Sequence, residues 1–459
     1  MRPAAHAHPA HGIGAQAAER SRVIQSRGAM ARASGQTARP TVAVVLAGGG
    51  ARGAYEMGAL SALLPYLDAR GERPRVIVGT SVGAINAAYL ASTAQDPVAK
   101  VLDAGVRLWA EIGFDEVLRP LLSPAELARA LGSVGEFLRV PGARLWSLLD
   151  SAPLAATLRG RLHVGRIHAN VARRALHAAA VVATSARHGA SVVFHDGGGR
   201  VAPDRDRAID YVQTRLGLDH VRASAAIPGV FPAVKISRPA TAAGWYFDGG
   251  TRLNTPIKPA LALGADRVVV IALNSLRAAS VRGRPQALDG ASELAQAVLV
   301  DPLVHDVQTL ATINSILTHR DGDRGTAAAA PRTSGAGRER APRAQAPESG
   351  ARTGLHKRVP YIFIAPERPQ EIGAIAARVY REHYAGLLDV ASSPSLALLG
   401  RAFGAGDSPA RGELFSYLFF AREFAEALME RGRADAERWL SRRHDDGPWR
   451  LRKPAVRAG

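Results

Sequence analysis

Val76-Ile77-Val78-Gly79-Thr80-Ser81-Val82-Gly83-Ala84 is the stretch from which the fold can be read. The β-branched run Val76-Ile77-Val78 reads as a buried strand, and the alanine-rich residues from Ala84 to about Ala91 read as a helix. Between them Gly79, Thr80, Ser81, Val82 and Gly83 fit the G-x-S-x-G nucleophile elbow, in which small neighbours allow a serine to sit on a sharp strand-to-helix turn. Such a serine stands clear of the sheet, near the positive end of the helix. The pentapeptide alone also fits a tight turn without chemistry; the two flanks favour the nucleophile. Upstream, Thr41 to Leu46 form a second apolar run that stops at Gly48. The residues from Ala54 to about Leu67 favour helix, with Leu60, Leu63, Leu64 and Leu67 on one face and Pro65 as a weak point. Strand, helix, strand, helix in this order predicts an α/β fold with a parallel sheet covered on both faces.

Further strands are expected at Ala178 to Ala183, Ser191 to His195, Trp245 to Phe247, Arg267 to Leu273 and Tyr361 to Ile364. Residues from about 113 to 162 read as helical, with a capping box at Ser123-Pro124-Ala125-Glu126 followed by Leu127, Leu131 and Val134 on one face. A helix is expected from about Val304 to His319. Residues 321–354 hold no large aliphatic or aromatic side chain and read as a disordered insertion. The expected organisation is a tail over 1–40, a catalytic domain over 41–320 with an internal helical segment near 113–162, the insertion over 321–354, a strand and helices over 355–440 packing on the catalytic domain, and a basic tail over 441–459.

The 459 residues are 47% hydrophobic and 22% charged, as in a folded globular protein. The formal net charge of +19 suits anionic partners such as phospholipid headgroups or nucleic acid; arginine from compositional bias is the favoured account, since only Lys100, Lys235, Lys258, Lys357 and Lys453 are lysines. The absence of cysteine excludes disulfides, thiolate metal sites and a cysteine nucleophile. No apolar run reaches the roughly 18 residues of a membrane span, so membrane contact is expected to be peripheral. The first 40 residues carry Glu19 as their only acid and no continuous apolar segment; they read as a transit-like peptide or a disordered tail.

Gly48-Gly49-Gly50-Ala51-Arg52-Gly53 joins the first strand to the first helix and admits three readings. It satisfies G-x-G-x-x-G, with Asp68 or Glu72 as the ribose-binding acid of a dinucleotide site, although neither ends the second strand as such an acid should. In a hydrolase the same loop would aim backbone N–H groups at the oxygen that becomes negative during attack. It is also a plausible tight turn without a ligand.

A serine nucleophile needs a base. Of fourteen histidines, His6, His8, His11, His319, His356 and His444 lie in tails or beside expected disorder. His195 ends a strand, His188 and His305 are alternatives, and His163, His168, His177, His220 and His383 have no motif around them. The other candidate is Asp248 in Trp245-Tyr246-Phe247-Asp248-Gly249-Gly250, where an apolar strand delivers a carboxylate to a glycine turn and raises its proton affinity. An ordinary Asp-Gly turn fits that stretch equally well, and Asp196-Gly197-Gly198 has the same local form in an apparent hairpin.

Taken together, Gly48 to Gly53, Gly79 to Gly83 and Asp248 to Gly250 closely resemble the three motifs of the patatin-like phospholipase family. Ser224-Ala225-Ala226-Ile227-Pro228-Gly229-Val230-Phe231-Pro232 and Asn254-Thr255-Pro256 resemble its segments before and after the aspartate. The resemblance spans about Thr41 to Leu273. It implies a three-layer α/β/α fold with a mostly parallel central sheet, and a dyad in which Ser81 attacks an ester carbonyl while Asp248 takes its proton. Gly48, Gly49, Gly50, Ala51, Arg52 and Gly53 would hold the oxyanion, with Arg52 positioning the loop or a lipid headgroup. It implies no metal or cofactor, a phospholipid or other lipid ester as substrate, and no nucleic acid. Leucine-rich helices between Val117 and Leu149 are candidates for a lid or acyl-chain wall, or for ordinary core. Location in the cytoplasm or at a membrane surface, or secretion, is compatible with all of this. The competing functions are an esterase with a Ser-His-Asp triad and a phosphate- or nucleotide-binding regulator.

Overall fold

The computed structural model describes residues 39–117, 119–120, 149–150, 152–277, 358–386, 394–405 and 409–451. The chain divides into two units, Met1–Pro40 and Thr41–Gly459. The capping box at Ser123, the helix expected from Val304, the insertion over 321–354 and His305 all lie outside the described residues.

Strand β1 (Val42–Leu46) runs through a 3-10 turn at Gly50–Arg52 into helix α1 (Gly53–Ala69), and β2 (Val76–Thr80) runs through Ser81 into α2 (Val82–Ser92). Helix α3 (Val98–Glu111) follows, then α4 (Phe114–Val117). The all-helical expectation for 113–162 is corrected at one place: β3 (Arg119–Pro120) pairs antiparallel with β4 (Leu149–Asp150), ahead of α5 (Ala152–Arg161). Proline at 120 and the pairing partner at 149 favour extended backbone where local propensity alone suggested helix. After α6 (Gly165–Ala172) come β5 (Ala178–Ser185), β6 (Ser191–Gly197), β7 (Ile209–Gln213), α7 (Leu218–Ser224), β8 (Val234–Ile236) and β9 (Gly244–Asp248). Then come α8 (Ile257–Ala262), β10 (Arg267–Ile271), β11 (Tyr361–Ile364), α9 (Glu371–His383), α10 (Pro394–Phe403), α11 (Pro409–Phe415) and α12 (Arg422–Ser441).

The central sheet has the order β11-β10-β1-β2-β5-β6-β7, with β9 on β5 and β8 on β9. It is mostly parallel, from β11 through β5 and again between β6 and β7; the antiparallel contacts join β5 to β6, β5 to β9 and β8 to β9. Alternate residues feed two cores. Val42, Val44, Leu46, Ile77, Val269 and Ile271 face one side, where α1, α2, α3 and α12 pack. Ala43, Val45, Val76, Val78, Val268 and Val270 face the other, with Ile257 and Ala260 of α8. Buried on both faces, these strands read as continuous apolar runs, as the period-two geometry requires.

One register detail sets up the site. Strand β5 receives two strands end to end along one edge: β2 parallel to it, with Thr80 opposite Val182, and β9 antiparallel to it, with Asp248 opposite Ala183. The carboxyl ends of β2 and β9 therefore meet.

Residues 442–451, which the sequence placed in a basic tail, fold back onto the sheet: Trp449 is fully buried, and Tyr361 and Arg450 exchange backbone hydrogen bonds. Trp449 also donates through Nε1 to Glu72.

Candidate active site

Ser81 lies at the junction of β2 and α2 with φ 55° and ψ −125°, a left-handed backbone that a side-chain-bearing residue holds only at a cost of about 1–3 kcal/mol. The turn is tight: a Cβ on Gly79 would stand 2.0 Å from the carbonyl oxygen of Gly83, and a Cβ on Gly83 would stand 2.4 Å from the carbonyl oxygen of Leu46 in β1, so neither position has room for a side chain. The Ser81 N–H donates to Ser224 Oγ at 2.9 Å, and Ser224 Oγ donates to the Val182 carbonyl at 2.5 Å, so the elbow is clamped to β5.

Asp248 ends β9, and its Oδ2 accepts the Ser81 hydroxyl at 2.5 Å, across 167 residues of sequence. Its Oδ1 accepts the Gly250 N–H at 2.7 Å, its own N–H donates to the Ala226 carbonyl at 2.8 Å, and its carbonyl accepts the hydroxyls of Thr184 and Thr251. Gly249 and Gly250 form a 3-10 turn capped by that carboxylate. Burial pushes the Asp248 carboxyl up to about 7, against the lowering effect of the hydrogen bonds from Ser81 and Gly250. The segment from Ser224 to Ala226 thus serves both halves of the pair, through Ser224 to Ser81 and through Ala226 to Asp248.

Among the described residues, no histidine is a hydrogen-bond partner of Ser81 or Asp248. His188 Nδ1 bonds the Ser185 hydroxyl, and His195, buried in the sheet and pushed below its ordinary pKa chiefly by that burial, bonds the Gly197 carbonyl. His220 accepts the Gly217 N–H and His168 pairs with Asp196. Asp196, the local look-alike of Asp248, therefore has a different partner at 3.1 Å.

The glycine loop is more selective than the sequence suggested. Of its backbone donors, Gly48 N–H goes to Asn254 O, Ala51 N–H to Tyr417 O, Arg52 N–H to Gly49 O and Gly53 N–H to Gly50 O. Of the six residues expected to hold the oxyanion, this leaves Gly49 and Gly50 as those whose N–H groups are not taken up by these backbone bonds. Gly50 has φ +60°, and a Cβ there would stand 2.1 Å from Tyr417 O. Tyr417 O thus closes the side of Gly50 on which a side chain would stand. Glu72, a nominated ribose acid, is bonded by Arg70, Arg267 and Trp449, and Asp68 is exposed at the end of α1. The Arg52 side chain is fully buried: Nε donates to Ser416 Oγ at 2.7 Å, Nη1 meets Asn274 Oδ1 at 3.1 Å and Glu413 Oε1 at 2.9 Å, and Nη2 donates to Glu413 O at 2.5 Å. Its guanidinium stacks 3.7 Å from the Tyr417 ring centroid. Of the two roles expected for Arg52, loop positioning matches these contacts and headgroup binding does not.

The patatin-like phospholipase family matches residues 44–261, a span that contains all three motifs. Residues 44–261 are a patatin-like phospholipase domain. Among solved structures, VipD from Legionella pneumophila aligns at 13% identity with a TM-score of 0.26, covering 72% of this chain and 62% of that one, less than two thirds of its length. ExoU, in the heterodimeric ExoU-SpcU complex from the type III secretion system of Pseudomonas aeruginosa, aligns at 16% identity and 0.25, covering 89% and 73%. No match was found among curated proteins.

Two cavities meet at Ser81 of the patatin-like domain. One, about 50 Å³, is walled by Val82, Ile85, Leu108, Trp109, Ile112, Leu154, Leu158 and Phe231. The other, about 470 Å³, is bounded by Gly48, Gly49, Gly50, Asp248, Thr251, Asn254, Pro228, Val230, Phe403 and Leu414. Gly50, Ser81, Ile227, Tyr417 and Leu418 border both. Trp109 is fixed by donating to Asn86 Oδ1, and Asn86 Nδ2 donates to Gly53 O and to Glu56, a buried acid whose carboxyl lies well above the usual range because of burial. Asn254 is buried with both amide ends unpartnered, beside the cavity.

The sequence singled out Ser81, Asp248 and both glycine motifs but none of Ser224, Asn254, Glu413, Ser416, Tyr417 or Asn274 as site residues. Ser224 and Asn254 stood inside stretches already noted. The 413–417 segment and Asn274 lie beyond the matched span and carry no motif.

Proposed function

We propose that this chain hydrolyses carboxylic esters of lipids through a Ser81–Asp248 dyad and an acyl-enzyme intermediate. The observation that carries the reading is the 2.5 Å hydrogen bond from Ser81 Oγ to a buried carboxylate at the meeting point of two largely apolar cavities. Ser81 Oγ attacks the ester carbonyl carbon as Asp248 takes its proton, and the negative oxygen is held by the N–H groups of Gly49 and Gly50. Collapse breaks the bond to the alcohol, which leaves with the proton from Asp248. Water then gives a proton to Asp248 and attacks the acyl-Ser81 carbonyl; the fatty acid departs and Ser81 recovers its proton. The narrow cavity suits an acyl chain and the wider one the alcohol portion of the lipid.

Ser81→Ala is expected to abolish release of fatty acid from a panel of phospholipids and acylglycerols followed by mass spectrometry, whereas alanine at His188 or His195 leaves the rate within about threefold. Loss of activity at either histidine would reject the dyad in favour of a triad. Filling the narrow cavity gives a second test. In Ile85→Phe, p-nitrophenyl esters are expected to show a preference shifted to shorter chains, kcat/KM falling about fourfold for each methylene excluded. An unchanged chain-length profile would place the acyl chain elsewhere.

A further inference from the structure

Among the described residues, Trp245 is the most exposed large apolar side chain, with 54% of its surface open to solvent; Tyr66, at 36%, is the other that is exposed. A single exposed apolar residue needs no explanation, but the surroundings of Trp245 differ from those of a random surface position. Lys235 lies directly across from it in the β8–β9 pair, so the two side chains share one face of the ribbon. The Trp245 carbonyl accepts the N–H of Ala186, one residue before Arg187 in the turn that follows β5. In the same turn Gly189 is packed by the Arg252 guanidinium, whose Nη2 would lie 3.2 Å from a Cβ at that glycine. Arg252 follows Thr251, which borders the wider cavity at Ser81.

Lys235, Arg187 and Arg252 are exposed, and none is paired with a carboxylate among the described residues. These contacts place three cations and one tryptophan on neighbouring segments beside the cavity rim. We propose that this face docks the protein on an anionic lipid bilayer and brings the Ser81 cavity to the membrane, an inference that rests on the lipid-ester reading above. The charge is complementary to a surface of anionic headgroups, and an indole, with an apolar body and one N–H donor, partitions to the depth where headgroups meet acyl chains. A protein partner would be expected to meet such cations with discrete carboxylates, whereas a membrane requires only their proximity.

The test uses the full chain and sedimentation with phosphatidylcholine vesicles that either contain or lack phosphatidylglycerol. Wild type is expected to bind the anionic vesicles, less tightly as salt is raised. Removal of the positive charge at Lys235 or Arg187 should weaken binding about fivefold each, and Trp245→Ala should weaken it and abolish the blue shift of the tryptophan emission seen on binding. Hydrolysis of a soluble short-chain ester should be unchanged in all three, which shows that they fold.

The control reverses charge at Arg200 and Arg205, two exposed arginines outside this surface. If Arg200→Glu/Arg205→Glu loses as much affinity as Lys235→Glu/Arg187→Glu, binding follows net charge and the proposal is overturned. It is equally overturned if Trp245→Ala and Lys235→Glu/Arg187→Glu bind as wild type does, or if only a soluble protein displaces the face from water. Failure of the lipid-ester reading has a separate signature, a wild-type chain that binds vesicles but releases no fatty acid in a Ser81-dependent manner.

Discussion

Asp248→Asn is expected to give a protein that is more stable than wild type and inactive. The carboxyl is buried and titrates at about 7, whereas an exposed aspartate titrates near 3.8. Between those values the folded chain holds a proton that the unfolded chain has released. Stability therefore falls as pH rises through this window, and the full penalty is present above pH 7. A difference of about three pH units corresponds to roughly 4 kcal/mol. An amide of the same shape removes that penalty, so urea denaturation should show Asp248→Asn more stable by up to about 4 kcal/mol at pH 8 and little different from wild type at pH 4. Ester hydrolysis should fall by about 10³-fold or more, because the amide cannot accept the proton of Ser81. The same ionisation should give wild-type kcat/KM an acidic limb with a midpoint near pH 7. Equal stability of the two proteins at pH 8 would show that the carboxylate is better solvated than its burial indicates; retained activity would remove Asp248 from the mechanism.

The second large effect is expected at Arg52, whose guanidinium ties the glycine loop to Glu413, Ser416 and Asn274. In Arg52→Met the Glu413 carboxylate remains buried without its cation, a loss of about 3–5 kcal/mol. It is also expected to cost about 10²-fold or more in kcat/KM, because the Gly49 and Gly50 donors are no longer held in place. Adding Glu413→Gln removes the stranded charge, so the double variant should recover much of the stability in thermal or urea unfolding while remaining catalytically poor. Recovery of both together would mean that Arg52 acts only through overall stability.

What was legible in the sequence follows from the range of each interaction. The buried strands at 42–46, 76–80 and 267–271 are visible as apolar runs because both faces are covered, and the elbow and the Asp-Gly-Gly turn are visible because each is a short local motif. The antiparallel pairing of β9 onto β5 has no such local mark, nor do the short strands β7 and β8. Helix α3 does carry a local signal, Val101, Leu102, Gly105, Leu108 and Trp109 at helical spacing. The partners of Arg52 at 413–417 lie more than 360 residues away and are ordinary residue types, so nothing in the sequence joins them to the glycine loop before folding does.

Where β2 and β9 abut on β5, Thr80 and Asp248 stand opposite adjacent rungs of one strand, Val182 and Ala183, which sets the spacing of the proposed nucleophile Ser81 and its proposed base. That strand acts as a ruler whose graduation is the rise of a single residue, about 3.3 Å. The separation of the dyad is then indifferent to how much chain runs between Ser81 and Asp248, so long as both ends return to the same edge. Insertions and deletions in the connecting segments can accumulate without moving Ser81 against Asp248, whereas a one-residue slip of β9 against β5 would turn the carboxylate to the opposite face of the sheet and dissolve the proposed site at once.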